Sequence, residues 1–338
     1  MVKFEVMMKR MKILVTGGLG FIGSNFIVKI IKKYPTWKII NVDAKLIGSN
    51  KDNLKEIKNN ENYLFVKGNI INQKLMDNLI SKVDLVINFA AESHVDNSIS
   101  SPIEFINTNI IGTYNILQCI VSSANQGKKT LFHHISTDEV FGSLDLNENS
   151  FTELSNFAPS SPYSASKASS DLLVEAWGRT FNINYIITNC SNNFGPRQYL
   201  EKLIPKTIIN IINSKSIPLY GAGTNIRDWL FVEDHIDAIL SLYNENLFIN
   251  NRFNIGGGHE ISNIEIIHAI TNILDSNYGF KNSEKLIEFV EDRKGHDFRY
   301  SINSSKIESA TNWKANKNFK QQLEKTIDWY VQNQNWWN

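Results

Sequence analysis

The sequence predicts an α/β fold: a doubly wound parallel sheet followed by a smaller C-terminal α/β substrate-binding part. Three observations predict it. Short β-branched runs alternate with helix-period stretches through the first two-thirds of the chain, the pattern of parallel strands joined by helical crossovers. A glycine-rich turn separates the first strand-like run from the first helical one. Beyond Cys190 the alternation is broken by Pro196, Pro205, Pro218 and the turn 221–223, where a loop-rich part begins.

In chain order, strands are expected at 12–16, 38–43, 64–67, 85–89, 131–136 and 185–190, and helices at 20–33, 73–81, 103–123 and 163–181. Residues 253–255 read as a strand that returns to the large sheet, and a last helix is expected at 319–332, with Trp336 and Trp337 packed behind it. A length of 338 residues suits two intimately joined units. Residues 11–189 with 226–256 form the expected dinucleotide-binding domain, and 190–225 with 257–338 the substrate domain.

Lys and Arg total 35 against 34 Asp and Glu, so no global field is available to hold nucleic acid or an anionic membrane. Any anion site must be local. Cys119 and Cys190 are too far apart for a metal-binding pair and too few for a disulfide framework, so a reducing cytoplasm and no metal are expected. The longest apolar runs have strand length, so neither a spanning helix nor an export signal is expected. The leader, with Met7 and Met8 ahead of Met11, suggests no function.

Thr16-Gly17-Gly18-Leu19-Gly20-Phe21-Ile22-Gly23 places Gly17, Gly20 and Gly23 at the strand-to-helix turn. Glycine there permits a tight turn and close approach of a pyrophosphate, while the helix N-terminus adds partial positive charge. Alone the triplet is weak. The second strand ends in Asp43, twenty residues beyond Gly23, where a carboxylate can accept from ribose hydroxyls and would repel a 2′-phosphate. A Rossmann-type site for NAD rather than NADP follows. Asn69 and Ile70 are expected to border the adenine, although Asn69 is equally suited to a plain turn.

Ser161-Pro162-Tyr163-Ser164-Ala165-Ser166-Lys167 puts Tyr163 and Lys167 four residues apart on one helix face. Tyrosine titrates around 10, so a phenolate base near neutral pH needs a neighbouring cation, and Lys167 is expected to supply it. The bare spacing also arises on solvated helices. Here it follows the Rossmann-like half, with His134-Ile135-Ser136-Thr137 ending the preceding strand.

With these motifs the chain resembles the extended short-chain dehydrogenase/reductases, and within them the nucleotide-sugar 4,6-dehydratases. The resemblance runs from Met11 to the C-terminus. It is carried by Asn88-Phe89-Ala90-Ala91-Glu92-Ser93-His94-Val95-Asp96, Ser136-Thr137-Asp138-Glu139-Val140, Asn189-Cys190-Ser191-Asn192-Asn193, Glu201-Lys202-Leu203-Ile204-Pro205, Ile226-Arg227-Asp228-Trp229 and Asp292-Arg293-Lys294-Gly295-His296-Asp297. It implies an NAD-dependent lyase acting on an NDP-glucose, first dTDP-glucose and second UDP-glucose, by C4 oxidation, loss of water across C5 and C6, and hydride return to C6. Thr137, Asp138 and Glu139 are the segment that separates dehydratases from 4-epimerases, with Glu139 as the implied base and Asp138 as the implied acid. A C4 ketone makes the C5 proton acidic, which is why elimination calls for such a pair. A nucleotide-sugar 4-epimerase and, from another class, a non-catalytic NAD-binding sensor are the rival readings.

The resemblance further implies that Ala90 borders NAD, that Arg227 and Arg293 contact a diphosphate, and that His94, Asn192, Glu201, Lys202 and His296 lie near the sugar nucleotide. Relatives pair the helices 103–123 and 163–177 into a four-helix bundle, so a homodimer is expected. The chain departs from the family at Ala44 to Asn50, at Phe141, where tyrosine is common, and at Arg197-Gln198-Tyr199-Leu200 beside the substrate.

Overall fold

The computed structural model describes residues 10–293 and 295–337. The leader and Lys294, on which the sequence reading also touched, lie outside the described residues.

The strands are β1 (Lys12–Thr16), β2 (Lys38–Asp43), β3 (Tyr63–Lys67), β4 (Leu85–Asn88), β5 (Leu131–Thr137), β6 (Tyr185–Cys190), β7 (Asn192–Phe194), β8 (Ile217–Tyr220), β9 (Ile226–Phe231), β10 (Asn251–Ile255), β11 (Glu260–Ser262) and β12 (Ile287–Val290). Seven of them form the large sheet in the order β10-β6-β5-β4-β1-β2-β3, all parallel. Both faces of the sheet's centre are covered, so β1 and β4 read as nearly unbroken apolar runs. Ile13, Val15, Leu85 and Ile87 point into one core and Leu14 and Val86 into the other, as the two-residue period of a strand requires. Strand order reverses at β1, which lies between β2 and β4; ligands of such sheets bind at that reversal, beyond the carboxyl ends of the strands. The side chains closing the two strands there, Thr16 and Asn88, are joined by a 2.6 Å hydrogen bond.

β10 is the expected returning strand and pairs with β6. Around it the smaller part is built from the sheet β11-β9-β7 and the pair β12-β8, over a third core containing Ile204, Trp229, Ile270 and Tyr330. Trp337 is buried in that core, and Trp336 Nε1 donates to Asn53 Oδ1 at 2.8 Å.

One expected element differs. In place of a continuous helix over 103–123 there is a short helix Pro102–Phe105, a π-helical turn Ile106–Ile111 and the helix Gly112–Asn125. The wider turn accompanies an inward Asn109, whose amide accepts from Glu92 N at 2.9 Å and donates to Glu92 O at 3.0 Å and Ser166 Oγ at 2.8 Å. Gly112 fits there because a Cβ would stand 2.3 Å from Ile70 Cδ1. Among the described residues no helix is long and apolar enough to cross a membrane.

Candidate active site

A cavity of about 320 Å³ runs along the carboxyl ends of the central strands. At one end it is lined by Gly17, Gly20, Phe21, Ile22, Gly23, Asp43, Asn69, Ile70 and Ala90. Gly17 has φ +68°, and a Cβ on it would lie 2.6 Å from Ala90 N. Only glycine fits that turn. The helix Phe21–Lys33 begins at Gly20 without a side-chain cap and without an acid in its first turn, so its first N–H groups and dipole are available to an anion. Asp43 accepts from Leu19 N at 2.9 Å and Lys45 N at 2.8 Å, and each carboxylate oxygen retains acceptor capacity for a hydroxyl. These features fit a dinucleotide. Asn69 makes its own turn, accepting from Ile71 N at 3.1 Å, and still lines the cavity.

Thr137, Asp138, Glu139, Tyr163 and Lys167 line the same cavity. Thr137 ends β5 and caps the short 3₁₀ turn Asp138–Phe141, accepting from Glu139 N at 3.3 Å. That turn tucks Asp138 inward: its side chain is buried, Oδ1 accepts from Thr137 Oγ1 at 3.2 Å, and Oδ2 has no partner. Burial, then the Glu139 and Asp228 carboxylates, push Asp138 well above the usual carboxylate range. Burial also raises Glu139, but Lys202, Arg227 and Arg293 pull it back toward ionisation.

Tyr163 and Lys167 sit at the start of the helix Pro162–Phe181, fixed by a reciprocal Ser161–Ser164 cap and by proline in the first turn. Burial, then Glu139 and Cys190, push the Tyr163 phenol well up, and the Thr137 side chain opposes them. The cation expected beside it is placed differently. Lys167 Nζ donates to Ile135 O at 2.8 Å and lies 3.4 Å from His134 Nε2, and burial lowers it to about 8.

His94, Asn192, Glu201 and Lys202 also reach the cavity. His94 caps the next helix through Nδ1 and approaches Glu201 at 3.5 Å; Lys202 Nζ donates to Ser93 O at 2.9 Å. Three candidates do not line it. Arg227 is buried and donates to the carbonyls of Ile226, Asp297 and Phe298, with its guanidinium 4.4 Å over the Tyr300 ring. Arg293 lies 3.7 Å from Asp96, and His296 Nδ1 is 2.6 Å from Asp292. The fields of both arginines still reach Glu139.

Sequence reasoning passed over Ser136, Ser191, Thr108 and Asn193, all cavity-lining. Ser136 Oγ is buried without a partner, and its place beside Thr137 was the only signal for it. Among the described residues no group of three or more His, Cys, Asp or Glu could hold a metal ion.

A family model described as GDP-mannose 4,6 dehydratase matches residues 14–326. The chain belongs to the nucleotide-sugar 4,6-dehydratases. It is 45% identical over 336 residues to the dTDP-glucose 4,6-dehydratase of Haemophilus influenzae, covering 96% of this chain and 98% of the relative. Among solved structures, the dTDP-glucose 4,6-dehydratase of Bacillus anthracis in complex with NAD superposes with a TM-score of 0.86 at 42% identity, covering 97% of this chain and 98% of that one. The enzyme of the same name from Streptomyces venezuelae, with NAD and TYD bound, gives 0.90 at 38% identity over 97% and 99%.

Proposed function

We propose that this dehydratase converts an NDP-glucose, with dTDP-glucose as the first choice, into the NDP-4-keto-6-deoxy sugar with NAD as resident cofactor. The observation that carries the reading is the buried, unpartnered Oδ2 of Asp138 beside Glu139, in one cavity with Tyr163, Lys167 and the glycine turn. A 4-epimerase needs the oxidation apparatus but has no elimination for two adjacent acids to perform.

Gly17, Gly20, Phe21, Ile22 and Gly23 cradle the pyrophosphate, Asp43 takes ribose hydroxyls, and Asn69, Ile70 and Ala90 border the rings. When bound, NAD supplies the two-electron acceptor for C4 and returns the electrons at C6. Tyr163 Oη removes the C4 hydroxyl proton, with the neighbouring Thr137 side chain and the positive field of Lys167 favouring the phenolate. Glu139, kept ionisable by three cations, removes the C5 proton and later returns one. Asp138, held protonated by burial and two carboxylates, gives its proton to the departing C6 hydroxyl. His94, Asn192, Glu201 and Lys202 position the sugar; Arg293 and His296 are assigned to the diphosphate from beyond the cavity lining, and Arg227, its donors committed to three carbonyls, acts through its field on Glu139. Because β9 belongs to the small sheet, the boundary expected at 226 moves past that strand: residues 11–189 with 232–256 serve NAD, and 190–231 with 257–338 serve the nucleotide sugar.

The same reading makes the protein a cytoplasmic homodimer. Its support is the pair of unlinked buried cysteines, Cys119 and Cys190, and the exposed Ile106, Ile111, Tyr114 and Leu172 on the two helices expected to pair. Incubation with dTDP-glucose and UDP-glucose in parallel tests the function: the expected product has lost water by mass and absorbs in alkali, and unchanged mass with both sugars would refute it.

A further inference from the structure

Behind Lys167, on the side away from the cavity, lies a buried ionic network that the reaction does not touch. Asp171, one helical turn after Lys167, is wholly buried and lies 2.7 Å from Arg252 Nη1. Arg252 comes from the returning strand β10; it also donates to Asn189 Oδ1 at 2.7 Å and to Glu175 Oε1 at 2.9 Å, and packs 4.9 Å from the Phe157 ring. Asn189 donates to Asp171 Oδ2 at 3.1 Å and to Thr137 O at 3.0 Å. His134 completes the set. Asn88 Oδ1 accepts from Thr16 Oγ1, which turns the Asn88 amide nitrogen to His134 Nδ1 at 3.3 Å. Nδ1 is therefore the acceptor, and a neutral ring carries its proton on Nε2, 3.1 Å from Ser170 Oγ and 3.4 Å from Asp171 Oδ1. Lys167 Nζ is 3.4 Å from that same Nε2, so Asp171 and Lys167 flank one imidazole nitrogen.

We propose that Asp171, clamped by Arg252, is a positioning residue that keeps Lys167 charged in its water-poor site. The inference rests on the role assigned to Lys167 above. Two cations, Lys167 and Arg252, face two anions, Asp171 and Glu175, and close burial makes each charge act strongly on the others. Removing one carboxylate leaves an excess positive charge, which the ammonium can relieve only by losing its proton. The titratable and charged groups around Lys167 are Tyr163 and Asp171 on its own helix, His134 on β5, Cys190 on β6 and Arg252 on β10, with Asp138 and Glu139 lining the same cavity. His134 is lowered to about 4, the Cys190 thiol is raised to about 12 and Tyr163 lies higher than usual, which leaves Lys167, at about 8, to titrate in mildly alkaline solution.

The test is the pH dependence of the C4 oxidation step, followed on the NAD-loaded enzyme as the first appearance of NADH absorbance. This step does not draw on the acid at Asp138. Asp171→Asn should move its alkaline limb to lower pH by roughly one unit, a tenfold change in proton affinity, while Asp171→Glu restores it. Glu175→Gln, at the partly exposed edge of the network, should shift the limb the same way by less, and it carries the test if Asp171→Asn does not fold. Lys167→Met should abolish the limb. A limb that vanishes in Lys167→Met but stays in place in the Asp171 and Glu175 variants overturns the role of Asp171. A limb that survives in Lys167→Met overturns the role of Lys167 and this inference with it.

Discussion

Asp138 and Glu139 are neighbours in the chain but occupy opposite electrostatic settings. Around Asp138 the strongest charged influences are the carboxylates of Glu139 and Asp228, whereas Glu139 faces Lys202, Arg227 and Arg293. Burial raises both, Asp138 the further, and two carboxyl groups raised unequally in this way can divide acid and base duties at one pH. Asp138→Asn and Glu139→Gln keep shape and remove proton transfer. Each should slow product formation by about 10²- to 10⁴-fold while leaving C4 oxidation largely intact, so NADH absorbance should accumulate after mixing with substrate. Oxidation lost as fully as in Tyr163→Phe would remove the division of roles.

The glycine turn makes a second prediction. Gly17→Ala places a methyl 2.6 Å from Ala90 N at φ +68°; the backbone conformation alone costs roughly 1–2 kcal/mol, and the clash adds to it. Protein purified with Gly17→Ala should carry little NAD and melt at lower temperature than the parent, which should release NAD on denaturation without any having been added. Full retention of NAD by the variant would contradict the cradle.

How far these sites could be read from sequence depended on whether a residue's partner was local. Gly17 to Asp43, Thr137 to Glu139 and Tyr163 to Lys167 carry their geometry within one turn or one strand-turn-helix unit, so spacing sufficed. Arg252 stood alone in a short strand, and its partners Asp171 and Asn189 are 81 and 63 residues away. Nothing local marked it. Arg227 was legible as a cation but not as one whose donors are already committed to three backbone carbonyls. The π turn at Ile106–Ile111 was invisible because a 3.6-residue period averages over one wide turn, and its cause, the Asn109–Glu92 contact, is tertiary.

Buried His235 sets part of the acid limit of stability. Its Nδ1 is 2.9 Å from Asn193 Oδ1, and burial lowers it from an ordinary 6.5 to about 3. The unfolded chain takes up this proton near 6.5 and the folded one does not until about 3, so stability from this group is lost progressively as pH falls through that window. His235→Asn keeps a donor for Asn193 and removes the titration. Its melting temperature should fall less steeply than the parent's between roughly pH 7 and 5; parallel curves would contradict the assignment.

The dimer is tested by mass. Light scattering at micromolar concentration should give twice 38.6 kDa, and Leu172→Glu, at a position 55% exposed in the single chain, should shift the mass toward one chain without unfolding it. A parent protein that runs as a monomer would refute the pairing of these helices.

The central claim is that oxidation, elimination and reduction occur on one substrate molecule within one cavity. Substrate carrying deuterium at C4 tests it most directly. The account predicts a 4-keto-6-deoxy product with that deuterium in its C6 methyl group, transferred within the same molecule, and with solvent deuterium at C5 when the reaction is run in D₂O. A label returned to C4, or a C6 methyl group that lacks it, would contradict the account.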